Sequence, residues 1–191
     1  MEPIYNKQLI SFLQSTTKSI LGSQDLQNAL GFKSANSKNT AIHRFVKNRW
    51  LLPIRKGLYA NSFKAPEKFA VATAVVSPSY ISFESALNYY GILSQNPQVI
   101  TVATIKKSRE TAYDNQIIKY SHLGQKLFFG YQKTGEFLIA MPEKALLDTL
   151  YFESRGLTNL NHKDLDLTHV DLAKLREYAK AFPKLCLPPW K

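Results

Sequence analysis

Between Pro3 and Leu21 the apolar residues Leu9, Phe12 and Leu13 stand at the i, i+3, i+4 spacing of a helix with one buried stripe. Ser23 reads as the N-cap of a second helix through Asp25, Leu26, Ala29 and Leu30. Gly31 supplies its stop, because glycine readily takes the left-handed backbone that closes a helix. After a short polar turn, Lys33 to Asn36, the pattern predicts a third helix over Ser37 to Arg49. The period then changes. Trp50-Leu51-Leu52-Pro53-Ile54 and Leu58-Tyr59-Ala60, on either side of Arg55-Lys56-Gly57, read as two short strands around a turn. Helix, helix, turn, helix, hairpin is the order of a winged helix-turn-helix, and Asn61 to Pro66 reads as a linker after it.

The rest of the chain mixes both periods. A helix of small residues near Glu67 to Val76 is halted at Ser77-Pro78, since the residue before proline resists helical angles. Ser82 reads as the cap of a helix through Phe83, Leu87 and Tyr90 that stops at Gly91. Val99 to Thr104, Gln116 to Tyr120, Lys126 to Tyr131 and Glu136 to Ala140 are short β-branched or aromatic runs, and together they predict a small, mostly antiparallel sheet. Pro142 suits a first helical turn and Glu143 its positive end, ahead of a helix through Ala145, Leu146, Thr149, Leu150 and Tyr151. A last helix is expected over Thr168 to Phe182. The expected class is α+β: a DNA-binding winged helix-turn-helix over residues 1–62 and a mixed domain with flanking helices over 66–191.

Charge sharpens this division. Of a formal net charge of +11, residues 1–64 hold ten Lys or Arg against Glu2 and Asp25, a net of +8, and the remainder is nearly balanced at +3. A basic first third points to a polyanion as its partner. The longest nearly apolar run, Phe69 to Val76, is far shorter than the roughly 20 residues of a membrane-spanning helix, so no membrane partner is expected. Cys186 is the sole cysteine, which excludes an internal disulfide and any multi-thiolate metal site. With no basic, apolar leader at the N-terminus, a cytoplasmic location is the expectation.

On a wheel of about 100° per residue the third helix turns Ala41, Ile42, Phe45 and Val46 inward. Asn36, Ser37, Thr40, His43, Arg44 and Lys47 then fall on the opposite face. These residue types serve major-groove recognition: Arg bridges two acceptors of guanine, Asn bridges adenine, and Ser or Thr reaches base or phosphate. Arg55 and Lys56 at the hairpin tip are candidate phosphate or minor-groove contacts. Lys38 and Arg49 lie nearer the buried side, and Trp50 and Tyr59 read as hydrophobic anchors.

Arg44-Phe45-Val46-Lys47 through Arg55-Lys56-Gly57-Leu58-Tyr59-Ala60 resembles the start of the AbiEi family of bacterial antitoxins. So do Tyr80-Ile81-Ser82-Phe83-Glu84-Ser85-Ala86-Leu87-Asn88-Tyr89-Tyr90-Gly91 and Ile139-Ala140-Met141-Pro142-Glu143-Lys144-Ala145-Leu146-Leu147-Asp148, so that the resemblance runs from Ile20 to about Arg155. It implies a two-domain antitoxin of a phage-defence, abortive-infection toxin-antitoxin system. The winged helix would repress its own operon at inverted repeats of duplex operator DNA. The second domain would neutralise a nucleotidyltransferase-type toxin, without necessarily forming a stable complex. Family members often place glycine before the first wing strand, where this chain has Asn48-Arg49-Trp50. Glu84, Lys144 and Asp148 are the signature residues that packing explains least, although Lys144 and Asp148 also fit an i, i+4 surface pair.

Catalytic patterns are thin. There is no glycine-rich phosphate loop, closely spaced His pair or nucleophile elbow, and His43, His122, His162 and His169 are scattered. Asp164 and Asp166 have a spacing that some metal-dependent nucleases use, within a stretch that reads as a polar loop. The expectation is a non-enzymatic regulator without cofactor or metal, monomeric in solution. A nuclease-like enzyme and a protein-only adaptor with a basic module are the alternatives.

Overall fold

A computed structural model describes residues 3–95 and 97–183. Cys186 lies outside the described residues. The chain divides into two compact units, Met1–Val75 and Val76–Lys191. The class is α+β, with seven α-helices and two sheets among the described residues.

The first unit begins with α1 (Pro3–Ser15), β1 (Ile20–Gly22), α2 (Ser23–Leu30) and α3 (Ala35–Lys47). It continues with β2 (Leu51–Arg55), β3 (Leu58–Asn61) and α4 (Lys68–Val75). Its sheet is antiparallel, in the order β1-β3-β2. Leu9 and Leu13 of α1, Leu26 and Leu30 of α2, and Ala41, Ile42 and Phe45 of α3 form one core with Leu21, Phe32 and Leu51. Trp50 and Tyr59 pack against that core, as anchors should. Asn61, buried at the end of β3 rather than free in a linker, donates through Nδ2 to the Leu13 carbonyl at 2.8 Å and so ties strand to helix.

The cap of α2 differs from the expectation. Ser23 is the first helical residue, Gly22 is the N-cap, and the Asp25 carboxylate accepts the Gly22 amide at 2.7 Å. Lys18 Nζ donates to the same carboxylate at 2.6 Å. Burial pushes the Asp25 carboxyl up, but Lys18 and the Gly22 amide outweigh it and leave the group below its ordinary value. Gly31 closes the helix at φ 59°, the left-handed region that favours glycine.

The second unit holds β4 (Ser79–Ile81), α5 (Phe83–Tyr89), β5 (Val99–Thr104), β6 (Arg109–Tyr113) and β7 (Gln116–His122). After these come β8 (Tyr131–Thr134), β9 (Phe137–Ala140), α6 (Pro142–Ser154) and α7 (Leu172–Ala179). The sheet has six strands in the order β6-β7-β5-β4-β9-β8. It is mixed rather than mostly antiparallel: β5 with β7 and β4 with β9 are parallel pairs. The strand expected over Lys126 to Tyr131 lies later, with only Tyr131 in β8. Gln125–Leu127 forms a 3-10 turn, and the aromatic residues after it pack on Tyr80, Phe128 at 5.0 Å and Tyr131 at 4.7 Å between ring centroids. The last helix starts later than expected, because Asp171 rather than Thr168 caps it by accepting from the amides of Ala173 and Lys174. In α6 every residue from Glu143 to Leu150 is buried, so this helix runs through the middle of the unit instead of along its surface.

Candidate functional site

The outer face of α3 follows from its start. Ser34, not the residues after it, is the N-cap, so the helix begins two residues before the expected Ser37 and takes Asn36 into its first turn. Ser37 Oγ accepts the Ser34 amide at 3.1 Å and donates to the Ser34 carbonyl at 2.8 Å, while the Ser37 amide donates to Ser34 Oγ at 3.1 Å. The Ser37 hydroxyl is thus engaged in the cap, which corrects its expected place on the reading face.

At about 100° per residue, Asn36, Thr40, His43 and Lys47 fall within roughly 60° of one another and point opposite Phe45. All four are exposed, and Phe45 is 0% exposed. None of the four makes a side-chain hydrogen bond or ion pair among the described residues, so their polar groups are open to a ligand. Arg44 lies to one side, half-buried, its guanidinium 5.8 Å from the Phe45 ring. Arg55 and Lys56 are exposed at the hairpin turn, with Arg55 Nη1 donating to the Lys56 carbonyl at 3.2 Å. Arg49 is exposed as well, beyond the end of α3 at φ 57°, rather than turned toward the core; Lys38 is half-buried.

The residues singled out in the second unit have a different environment. Lys144 and Asp148 are one turn apart on α6 and form an ion pair, and both side chains are 0% exposed. The spacing was legible, but the expected surface pair is a buried one. Tyr80 Oη accepts from Lys144 Nζ at 2.9 Å and donates to Asp148 Oδ2 at 3.1 Å. Ser82 Oγ donates to the same oxygen at 2.8 Å. Ser82 therefore does not cap α5 with its side chain, contrary to the sequence reading. The Lys144 ammonium lies 5.1 Å from the Phe182 ring centroid, 5.2 Å from that of Phe129 and 5.5 Å from that of Tyr80.

Burial pushes the Asp148 carboxyl up, and the Lys144 charge with the Ser82 and Tyr80 hydroxyls pulls it back only in part. Burial likewise lowers the Lys144 ammonium against the opposing pull of Asp148. Desolvation, followed by the Asp148 charge, drives the Tyr80 phenol far up. In this arrangement the four groups satisfy one another in a sealed setting, and Lys144 and Asp148 present nothing for a partner to touch. Glu84, half-buried in the first turn of α5, accepts from Thr158 Oγ1 at 2.6 Å and so holds the segment after α6. Sequence reasoning missed Tyr80 and Ser82 as polar partners, since a strand tyrosine and a capping serine each have an ordinary packing explanation.

The two aspartates weighed for metal chemistry are engaged separately. Asp164 accepts from Gln95 at 3.0 Å and Asn161 at 2.8 Å, and Asp166 accepts from the Thr168 amide at 2.9 Å. His162 pairs with Glu153 at 2.9 Å, and His122 Nδ1 lies 3.1 Å from the Lys106 carbonyl. Among the described residues no three His, Cys, Asp or Glu side chains converge as a metal site, and no helix is long and apolar enough to cross a membrane.

No protein-family model matches this sequence, and no curated protein matches it. Among solved structures, the crystal structure of the RV2827C protein from Mycobacterium tuberculosis is similar, with a TM-score of 0.61 and 15% sequence identity over 96% of this chain and 74% of that one. At such an identity the likeness is one of fold.

Proposed function

We propose that this chain is a DNA-binding regulator whose first unit is a winged helix-turn-helix, with α3 as the recognition helix and the β2–β3 hairpin as the wing. The observation that carries the reading is the open stripe Asn36, Thr40, His43 and Lys47 opposite a fully buried Phe45. The element order and the β1-β3-β2 sheet support it, since this is how a winged module joins its recognition helix to the wing. From Asn36 to Lys47 the stripe is about 16 Å long at the ordinary helical rise. That suits a helix laid in a major groove about 12 Å wide. The cations Arg55 and Lys56 stand beyond it for phosphate.

The resemblance to AbiEi antitoxins extends the proposal to repression of a toxin-antitoxin operon at inverted repeats and to neutralisation of a nucleotidyltransferase-type toxin. In that reading Lys144 and Asp148 maintain the architecture of the second unit, and toxin neutralisation falls to its surface.

Titration of operator-length duplex DNA at several salt concentrations tests the DNA reading. Lys47→Ala and Lys56→Ala should each reduce the salt slope by about one counterion and weaken all sequences alike. Asn36→Ala should instead cost about 1 to 3 kcal/mol on a specific site and relax its preference. Affinity and slope unchanged in all three variants would refute the assigned face. Co-expression with a nucleotidyltransferase encoded beside this chain tests the antitoxin reading: growth restored by the second unit supports it, and continued arrest with the full chain present refutes it.

A further inference from the structure

The exposed face of α3 holds one polar residue beyond Asn36, Thr40, His43 and Lys47. Asn39 is exposed and makes no side-chain hydrogen bond or ion pair among the described residues. At about 100° per residue it falls roughly 60° from Asn36, three positions earlier. Side chains at that spacing are neighbours, about 5 to 6 Å apart at Cβ, so two free carboxamides stand side by side in the first half of the helix. Thr40 follows Asn36 by four positions and completes the group.

This group is selective both in what it contains and in what it lacks. A carboxamide matches adenine in the major groove, donating to N7 and accepting from the N6 amine, and a threonine methyl packs on the methyl of thymine. Guanine is bridged by arginine, and cytosine donates to a carboxylate. α3 holds neither Asp nor Glu. Its one arginine, Arg44, is half-buried with the guanidinium 5.8 Å from the Phe45 ring, about 80° round the helix from Asn36. His43 and Lys47 stand about 10 and 16 Å beyond Asn36 along the axis. Recognition helices put their N-terminal residues on base edges, which leaves that far end nearer the sugar-phosphate strands. A net charge of +8 over residues 1–64, ten Lys or Arg against Glu2 and Asp25, suits a polyanionic occupant.

We propose that α3 reads an A·T half-site in duplex DNA, with Asn36 and Asn39 each spanning an adenine of two neighbouring base pairs and Thr40 meeting a thymine methyl. The carboxamide spacing of about 5 to 6 Å at Cβ compares with about 3.4 Å between stacked bases, a difference that the side-chain torsions of two asparagines can close. The inference rests on the DNA-binding reading of the first unit. It adds the base that is recognised and makes Asn39 a specificity-determining residue.

The test is selection of duplexes from a random-sequence library by the full chain, followed by titration of the selected duplex at fixed salt. The selected half-site should contain adjacent A·T pairs. Substituting 7-deazaadenine for one of those adenines removes the N7 acceptor and should weaken binding about tenfold, whereas 7-deazaguanine elsewhere should change nothing. Asn39→Ala, an exposed change to a better helix former, should weaken the selected duplex by a similar factor and become indifferent to 7-deazaadenine at one position, which identifies the adenine it reads. Asn36→Ala should become indifferent at the neighbouring position. Dependence on guanine N7 with 7-deazaadenine tolerated throughout, or equal binding to all sequences, would overturn the inference while leaving DNA binding in place. An A·T-rich selection that neither variant alters would overturn it too, since the preference would then come from the shape of the duplex. Failure to bind any duplex at low salt would instead remove the DNA reading itself, and this inference with it.

Discussion

Lys144→Met would remove one half of the sealed ion pair on α6 while keeping most of the side-chain volume. Asp148 would stay fully buried without its cation, a loss that costs about 3 to 5 kcal/mol when nothing else compensates. Here the Ser82 and Tyr80 hydroxyls still donate to the carboxylate, so the lower end, about 3 kcal/mol, is expected. The pH dependence gives an independent check. Burial already raises the folded-state carboxyl above its unfolded value, and losing Lys144 raises it further. Between those two values the folded variant binds the extra proton, so its stability rises as pH falls. The deficit should therefore be largest at neutral pH and shrink in mild acid, toward the unfolded carboxyl value of about 3.9. Urea unfolding followed by far-ultraviolet circular dichroism from neutral to mildly acidic pH would measure both effects. A deficit below about 1 kcal/mol at neutral pH, within the range of an exposed pair, would refute the reasoning.

Ser37→Ala should cost up to about 1 kcal/mol by removing the Ser37 half of the capping box on α3, with the Ser34 cap kept, and leave sequence preference on DNA unchanged; altered preference at unchanged stability would contradict that role. Asp25→Ala should destabilise the first unit by a similar amount, about 1 kcal/mol. Because the folded Asp25 carboxyl is depressed, that stability is present above its unfolded value and lost as pH falls through the folded one, so variant and parent should converge in acid. Gly130→Ala would place a methyl group 3.0 Å from Tyr178 Cε2 and 3.1 Å from Lys144 Cγ at a backbone φ of 69°. Thermal unfolding should show a loss of about 1 to 3 kcal/mol, and an unchanged midpoint would mean that α7 gives way easily.

Periodicity and stops revealed most of the helices. Leu26 and Leu30 with Gly31, and Ala41, Ile42 and Phe45 on α3, leave little choice of buried face. The missing pieces have physical causes. β1 is only three residues long and gains its partner β3 from nearly 40 positions away, beyond the reach of a local pattern. β6 is an edge strand with exposed Arg109 and Glu110, so it lacks an apolar signature. Phe128, Phe129 and Tyr131 suggested a strand, yet their bulk covers Tyr80 and Lys144. The exposed face of α3 was largely legible, apart from Ser37 and the half-buried Arg44, because burial of one helical face fixes the other. Lys144 and Asp148 were misplaced for the opposite reason: charge normally marks a surface. The apolar residues Ala145, Leu146, Leu147 and Leu150, spread around α6, were the available sign that this helix has no outside.

The central strand β4 is only three residues long and joins β5 to β9, with Ile81 opposite Ile139 as its one residue pair with β9. Tyr80 and Ser82 flank Ile81, and Asp148 grips both. The hairpin β8–β9 and the group β5–β7 are thus two plates riveted through one short piece, with the rivet set by a helix distant in sequence. Contacts of that separation form slowly because a long loop must close first. Each plate has local pairings of its own, and the Asp148 contacts that hold β4 between them reach across 68 and 66 positions of sequence.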